Sequence, residues 1–148
     1  MKYAIISASK VKDKAILALE SEYLKRLRCC EVIEVTGGRN CKNAEQEGQL
    51  LLKAANKFDR IICLDERGKQ PDSKAFSALL SLWKNRGDAS FAFIIGGAYG
   101  LSEEVRSKSH YIWSLSTLTF PFQIARLLTV EQLYRATCII NGHPYHKE

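Results

Sequence analysis

Short apolar runs alternate with amphipathic stretches along this chain, and the alternation predicts most of its elements. Residues 3–8 form an apolar run that reads as a strand. Over Lys14–Leu27, Ile16, Leu19, Tyr23 and Leu27 recur at helical spacing. Residues 31–35 alternate and predict a second strand. Thr36-Gly37-Gly38-Arg39-Asn40 predicts a turn or mobile loop. A helix is expected over 44–57, with Gly48 inside it, then a buried strand over 60–64. Residues 65–72 contain Gly68 and Pro71 and are expected to be loop. Ser73 is expected to cap a helix ending near Arg86. Ser90–Ile95 reads as a strand, and Gly96-Gly97-Ala98-Tyr99-Gly100 as a loop. Ser102 is placed to cap a short helix whose first turn carries Glu103 and Glu104, where the helix dipole favours acids. A strand over 111–115, a loop over 117–122 and a long helix over 123–137 complete the pattern.

Strands and helices alternating in this way predict an α/β fold with a mostly parallel sheet flanked by helices. In open parallel sheets, ligands bind beyond the carboxyl ends of strands. The loops after Leu64, Ile95 and Leu115 are therefore where chemistry is expected.

Composition narrows the picture. The chain has 148 residues, 46% hydrophobic and 26% charged. These values suit one domain able to bury a core without disulfides. The five cysteines are odd in number, and no pair has metal-finger spacing. They read as free thiols in a reducing compartment. No signal peptide or membrane span is visible, so cytoplasmic location is expected. The formal net charge of +6 permits a polyanionic partner such as RNA, with basic clusters at Lys10, Lys12, Lys14 and at Lys25, Arg26, Arg28.

Four stretches hold candidate chemistry. Ile95-Gly96-Gly97-Ala98-Tyr99-Gly100-Leu101-Ser102 puts three glycines between a buried strand and a capped helix. Its backbone N–H groups suit an adenosine or a carboxylate, or the segment is a tight turn. It matches neither a dinucleotide fingerprint nor a phosphate-binding P-loop. Leu115-Ser116-Thr117-Leu118-Thr119-Phe120-Pro121-Phe122 mixes hydroxyls with apolar residues, as a loop around a small ligand or as plain packing. In the last helix, Ile124, Leu127, Leu128, Glu131, Arg135 and Cys138 share one face. The helix is apolar nearly all round, as in a core or a subunit interface. Glu131 and Arg135 are four apart in the order that favours pairing. The tail holds His143, Tyr145, His146 and Lys147. Two histidines with no third ligand nearby do not make a metal site. Stacking on a base and contacting phosphate is the better use of Tyr145, His146 and Lys147.

Taken together these segments resemble the ribosomal RNA large-subunit methyltransferase H family, a minimal branch of the SPOUT class of trefoil-knotted α/β methyltransferases. The resemblance lies in Leu64-Asp65 with Gly68-Lys69, in Ile95-Gly96-Gly97 with Gly100-Leu101-Ser102, and in Leu115-Ser116 with Thr119-Phe120-Pro121. It continues through Glu131-Gln132-Leu133-Tyr134-Arg135-Ala136 and closes with Pro144-Tyr145-His146-Lys147. It implies a knotted fold, a homodimer, and S-adenosylmethionine as methyl donor with no metal. The substrate implied is a pseudouridine of 23S ribosomal RNA, methylated at N3 on the assembled ribosome. The same resemblance implies cofactor contacts from Leu64, Gly97, Ser116, Thr117, Leu118, Thr119, Phe120 and Pro121. It places Glu131, Arg135, Tyr145 and His146 in substrate handling and catalysis, with the tail acting at the partner's cofactor site. Phe122 stands where members commonly have histidine, and Ala98-Tyr99 departs from the usual residues of the glycine-rich loop. These two departures motivate the alternative, a ribosome- or RNA-associated binding module with lost or altered methyl transfer.

Overall fold

A strand that is apolar at consecutive positions must be covered on both faces, which is the situation of strands inside a parallel sheet. The computed structural model describes residues 1–35 and 41–147, and the loop expected at 36–40 lies outside them. Its strands are β1 (Lys2–Ser7), β2 (Cys30–Glu34), β3 (Arg60–Lys69), β4 (Ser90–Ile95) and β5 (Tyr111–Trp113). They pair in the order β2-β1-β4-β3-β5, and every pair is parallel. The helices are α1 (Lys14–Leu27), α2 (Ala44–Ala55), α3 (Ser73–Asn85), α4 (Glu103–Lys108) and α5 (Phe122–Ile140). The expected α/β class and parallel sheet are therefore present.

Successive side chains of a strand point to opposite faces, and this divides the interior into two cores. One holds Tyr3, Ile5, Phe91, Phe93 and Trp113 against Phe76, Trp83, Val130 and Leu133 of α3 and α5. It is rich in aromatic rings, with Phe76 stacked on Trp113 at 4.1 Å between centroids. The other holds Ala4, Ile6, Cys63, Ala92 and Ile94 against Leu51 and Ala55 of α2 and Val105 of α4. Small residues on that face let α2 lie close to the sheet. Among the described residues no helix is long and apolar enough to cross a membrane. All five cysteines are free, Cys63 and Cys138 buried.

Several boundaries differ from expectation: β5 ends at Trp113 and not at 115, α2 ends at Ala55 and not at 57, and three further differences bear on the site. The segment expected to be loop from Asp65 is not loop at its start, because β3 continues to Lys69. A register shift between Leu64 and Lys69 lets the strand rejoin β5 at Trp113, and the Lys69 carbonyl accepts the Ser114 N–H at 2.8 Å. Gly68 makes this possible: a Cβ there would stand 2.5 Å from the Ile112 carbonyl oxygen. The cap of α3 is Asp72, not Ser73, since the Asp72 carboxylate accepts the Ala75 N–H at 2.8 Å. Ser73 instead donates its hydroxyl proton to Gln132 on α5 at 2.8 Å. Finally, α5 begins one residue earlier than expected and runs to Ile140, on past Thr137.

The buried face of α5 also differs. Arg126, Thr129, Val130, Leu133, Ala136 and Cys138 enter the interior. Of the face proposed from the sequence only Cys138 is buried, while Ile124, Leu127, Leu128, Glu131 and Arg135 are half-buried. A helix apolar on all sides carries no preferred face in its own pattern, so its partners decide. Those partners include Glu20 on α1. Arg126, only 2% exposed, donates from Nε and Nη2 to both Glu20 oxygens at 2.7 and 2.8 Å. Its Nη1 donates to Glu34 of β2 at 2.8 Å.

Candidate active site

The carboxyl ends of β3, β4 and β5 open onto one cavity of about 570 Å³. Three chain segments form it. The first is the end of β3, where Leu64 and Asp65 turn toward the cavity. Burial works against the Asp65 charge, but the Arg67 side chain outweighs it and holds the carboxyl below the usual carboxylate range. Arg67 grips both Asp65 oxygens at 3.0 and 2.9 Å, and Arg106 stands 3.6 Å away on the other side.

The second segment is the glycine-rich turn after β4. Gly100 sits at φ +72°, a left-handed conformation that favours glycine. Its N–H closes the turn on the Gly97 carbonyl at 3.0 Å. Ser102 caps α4 as expected, accepting the Val105 N–H at 3.2 Å. The Gly97 N–H, expected to be available to a ligand, is already engaged: it donates to Glu47 of α2 at 3.1 Å.

The third segment follows β5. Buried Ser114 accepts from Gln70 at 3.0 Å and donates to the Ser116 carbonyl at 2.8 Å. The Ser116 hydroxyl accepts the Leu118 N–H at 3.0 Å, and Thr119 donates to Glu66 at 2.6 Å. This loop is thus clasped to the extended end of β3, and that clasp is why β3 must continue past Asp65. Of the residues proposed for the cofactor, Leu64, Gly97, Ser116, Leu118, Thr119 and Phe120 line the cavity. Thr117 and Pro121 share the loop but do not line it. Phe122 does line it, at the first turn of α5. Leu118 and Tyr99, 67% and 52% exposed, stand at its rim.

The residues proposed for catalysis form a second constellation. Arg135 donates from Nη2 and Nε to Glu131 Oε1 at 2.6 and 3.1 Å, so the expected pair forms. The chain turns at Gly142, with φ +73°, and folds back along α5. Tyr145 then donates its hydroxyl proton to Glu131 Oε1 at 3.0 Å and lies 3.4 Å from the Tyr23 hydroxyl. Its ring meets Tyr134 edge-on at 4.6 Å and lies under the Arg135 guanidinium at 4.9 Å. Arg135 Nη1 is 3.0 Å from His146 Nδ1. Arginine has no acceptor, so Nδ1 receives this bond, and a neutral ring carries its proton on Nε2. Glu131 Oε2 accepts from Gln132 at 2.8 Å, which leaves both oxygens occupied. Burial, with Tyr23 and Glu131 nearby, pushes the Tyr145 hydroxyl well above its ordinary value, so at neutral pH it keeps its proton and its donation to Glu131.

None of these four residues lines the cavity of its own chain. Ala125 marks the cavity wall, and Arg135 follows roughly 15 Å further along the same helix at 1.5 Å per residue. Among the described residues no cluster of His, Cys, Asp and Glu could hold a metal ion. Sequence reasoning missed Glu47, Glu66 and Arg106 around the cavity, and the buried Arg126. No local motif marks them, since each acts through a residue far away in the chain.

The family model described as "Predicted SPOUT methyltransferase" matches residues 1–146. Ribosomal RNA large subunit methyltransferase H of Acholeplasma laidlawii is 42% identical over 147 residues, covering 99% of this chain and 100% of that protein. The chain belongs to this family of SPOUT methyltransferases. Among solved structures, a "probable methyltransferase" of Bordetella pertussis superposes with a TM-score of 0.62 at 13% identity, over 90% of this chain and 94% of that one. A Legionella pneumophila methyltransferase solved with bound SAM has a TM-score of 0.53 at 13% identity, over 92% of this chain and 66% of that one. These structural likenesses show that the chain shares its α/β fold with both.

Proposed function

We propose that this SPOUT methyltransferase transfers a methyl group from S-adenosylmethionine to N3 of a pseudouridine in 23S ribosomal RNA of the assembled ribosome. The full-length likeness to ribosomal RNA large subunit methyltransferase H carries the reading. The cavity supports it. Its volume of about 570 Å³ is in the range of small-ligand sites. Gly96 keeps its floor open, since a Cβ there would press on Leu101 at 3.0 Å and on Gly100 at 3.1 Å. Leu64, Ile95 and Leu115 offer an apolar wall, and the Glu66 carboxylate, bonded to the Thr119 hydroxyl, suits a ligand carrying positive charge. Leu64, Gly97, Ser116, Thr117, Leu118, Thr119, Phe120 and Pro121 would hold the donor, within the knotted arrangement that the family implies. When bound, the donor supplies an electrophilic sulfonium methyl group.

The chain's own residues then have to position the base and manage one proton. Glu131, with both oxygens occupied, fixes Arg135 and Tyr145. Arg135 steadies the charge that develops on a carbonyl of the target base. His146 becomes free to accept the N3 proton once Arg135 turns from its Nδ1 to that base. Alignment of nucleophile and methyl group supplies much of the rest.

The proposal includes a homodimer in which each tail completes the partner's cavity. Two features support this: the catalytic group stands away from its own cavity, and Ile124, Leu127 and Leu128 leave an apolar stripe of α5 half-covered. An isologous pairing of such a stripe is the commonest way to bury it. Exposed Lys10, Lys12, Lys14, Lys25, Arg26 and Arg28 suit phosphate contacts and salt-dependent binding. The test is subunit complementation. Gly97→Ala, which puts a Cβ 2.8 Å from Ser9 Oγ and 3.2 Å from Glu47 Oε2, and His146→Ala are each expected to lower transfer by about a hundredfold. Mixed after reversible dissociation, they are expected to recover about a quarter of wild-type activity, because half the dimers then carry one intact site. No recovery from exchanged, folded dimers would contradict the shared site.

A further inference from the structure

Two consecutive residues of α2 brace the glycine-rich turn from behind. Glu47 is 7% exposed and does not line the cavity, yet its Oε1 accepts the Gly97 N–H at 3.1 Å. Its other oxygen stands 3.2 Å from where a Gly97 Cβ would lie. Gly48 packs so close to the start of α4 that a Cβ there would meet Ser102 Oγ at 2.5 Å and Val105 Cγ2 at 3.0 Å. The turn is thereby fixed at both ends, at Gly97 by a hydrogen bond and at Ser102 by contact.

This arrangement changes what Gly97 can offer. Its N–H is directed into the protein, and its carbonyl closes the turn with Gly100. What remains for a ligand is the second lone pair of the carbonyl, since the side of the Cα on which a Cβ would stand faces Ser9, Glu47 and Ala8. Glu47 thus holds in one orientation a peptide that lines the cavity.

We infer that Glu47 is a positioning residue for the methyl donor, acting through the Gly97 peptide by reach and not by charge. The inference rests on the reading of the cavity as the donor site. Loss of one hydrogen bond to a buried peptide N–H corresponds to roughly a tenfold change in affinity.

Two substitutions separate reach from charge. Glu47→Gln keeps the length and an acceptor oxygen but removes the charge. Glu47→Asp keeps the charge but shortens the side chain by one methylene. Calorimetric titration with S-adenosylmethionine is expected to give Glu47→Gln an affinity within about twofold of wild type and Glu47→Asp one about tenfold weaker. In the Asp variant, KM for the donor is expected to rise while kcat at saturating donor and KM for ribosomes stay unchanged. Amide exchange without ligand gives a readout independent of activity. The Gly97 N–H is expected to stay protected in the Gln variant and to exchange faster in the Asp variant. The inference is overturned if folded Glu47→Gln is the weak binder, or if both variants bind as wild type does. Wild-type protein that fails to bind S-adenosylmethionine would instead overturn the methyltransferase reading of the cavity.

Discussion

Replacing Arg126 with methionine is expected to cost about 3–5 kcal/mol of stability, because it leaves two glutamates facing each other without their cation. Arg126 is the largest fully buried side chain among the described residues, and it ties α5 to α1 and β2 at once. Methionine fills much the same volume, so the loss is electrostatic and not a cavity. The control is Arg126→Met combined with Glu20→Met and Glu34→Gln, which removes the stranded charges and is expected to recover most of the loss. Urea unfolding at fixed protein concentration measures both. A single variant as stable as wild type would show that the buried group carries no such weight.

The same group predicts an acid limb. Burial would raise the Glu34 pKa, but Arg126 and the Val11 N–H outweigh it and hold the carboxyl below its ordinary 4.5. A carboxylate depressed in the folded state binds fewer protons there than in the unfolded chain, so stability rises with pH. Its contribution is present above 4.5 and disappears as pH falls through the lower folded value. In Arg126→Met that part of the acid dependence is expected to shrink.

The second large effect concerns the tail. His146→Ala is expected to lower the single-turnover rate on bound ribosomes by about a hundredfold, the lower range for a lost general base. Affinity for S-adenosylmethionine is expected to be unchanged, because in the proposed shared site His146 faces the target base while the loop residues after β3, β4 and β5 hold the donor. Glu131→Gln is expected to act by releasing Arg135 and Tyr145, with a similar loss of rate. Tyr145→Phe removes a donor that stays protonated well above neutral pH. It is therefore expected to lower the rate without introducing or removing a limb of the pH profile between 7 and 9. Normal single-turnover rates in both His146→Ala and Glu131→Gln would remove these residues from the chemistry.

How much of this is legible in the sequence depends on where each residue finds its partner. β1 and β4 are plain because both of their faces are buried, so nearly every position is apolar. The far end of β3 is hidden: Glu66, Arg67 and Gly68 look like loop, and only the pairing of Lys69 with Trp113 and Ser114 makes them strand. The glycine-rich turn is visible because three glycines beside a strand end have few other uses. Its brace is not, because Glu47 lies fifty positions from Gly97 on an unremarkable amphipathic helix. Arg126 is obscured for a related reason. On a helix apolar all round, one charge reads as a solvent-facing residue until Glu20, 106 positions away, is seen to meet it. The pairing of Glu131 with Arg135 is legible because both lie on one helical turn. That the pair stands apart from the cofactor cavity is a tertiary fact with no local signature.

The most direct test of the central claim is methyl transfer itself. Purified protein, labelled S-adenosylmethionine and ribosomes from a strain lacking this gene would be incubated together, and the labelled nucleosides mapped by mass spectrometry. The account predicts one N3-methylated pseudouridine in the large-subunit RNA, formed about a hundredfold more slowly when the tail residue His146 is replaced by alanine. Ribosome binding with no transferred methyl group would contradict it and favour a binding module that has lost turnover, with Phe122 and Tyr99 at the cavity as the first residues to revert.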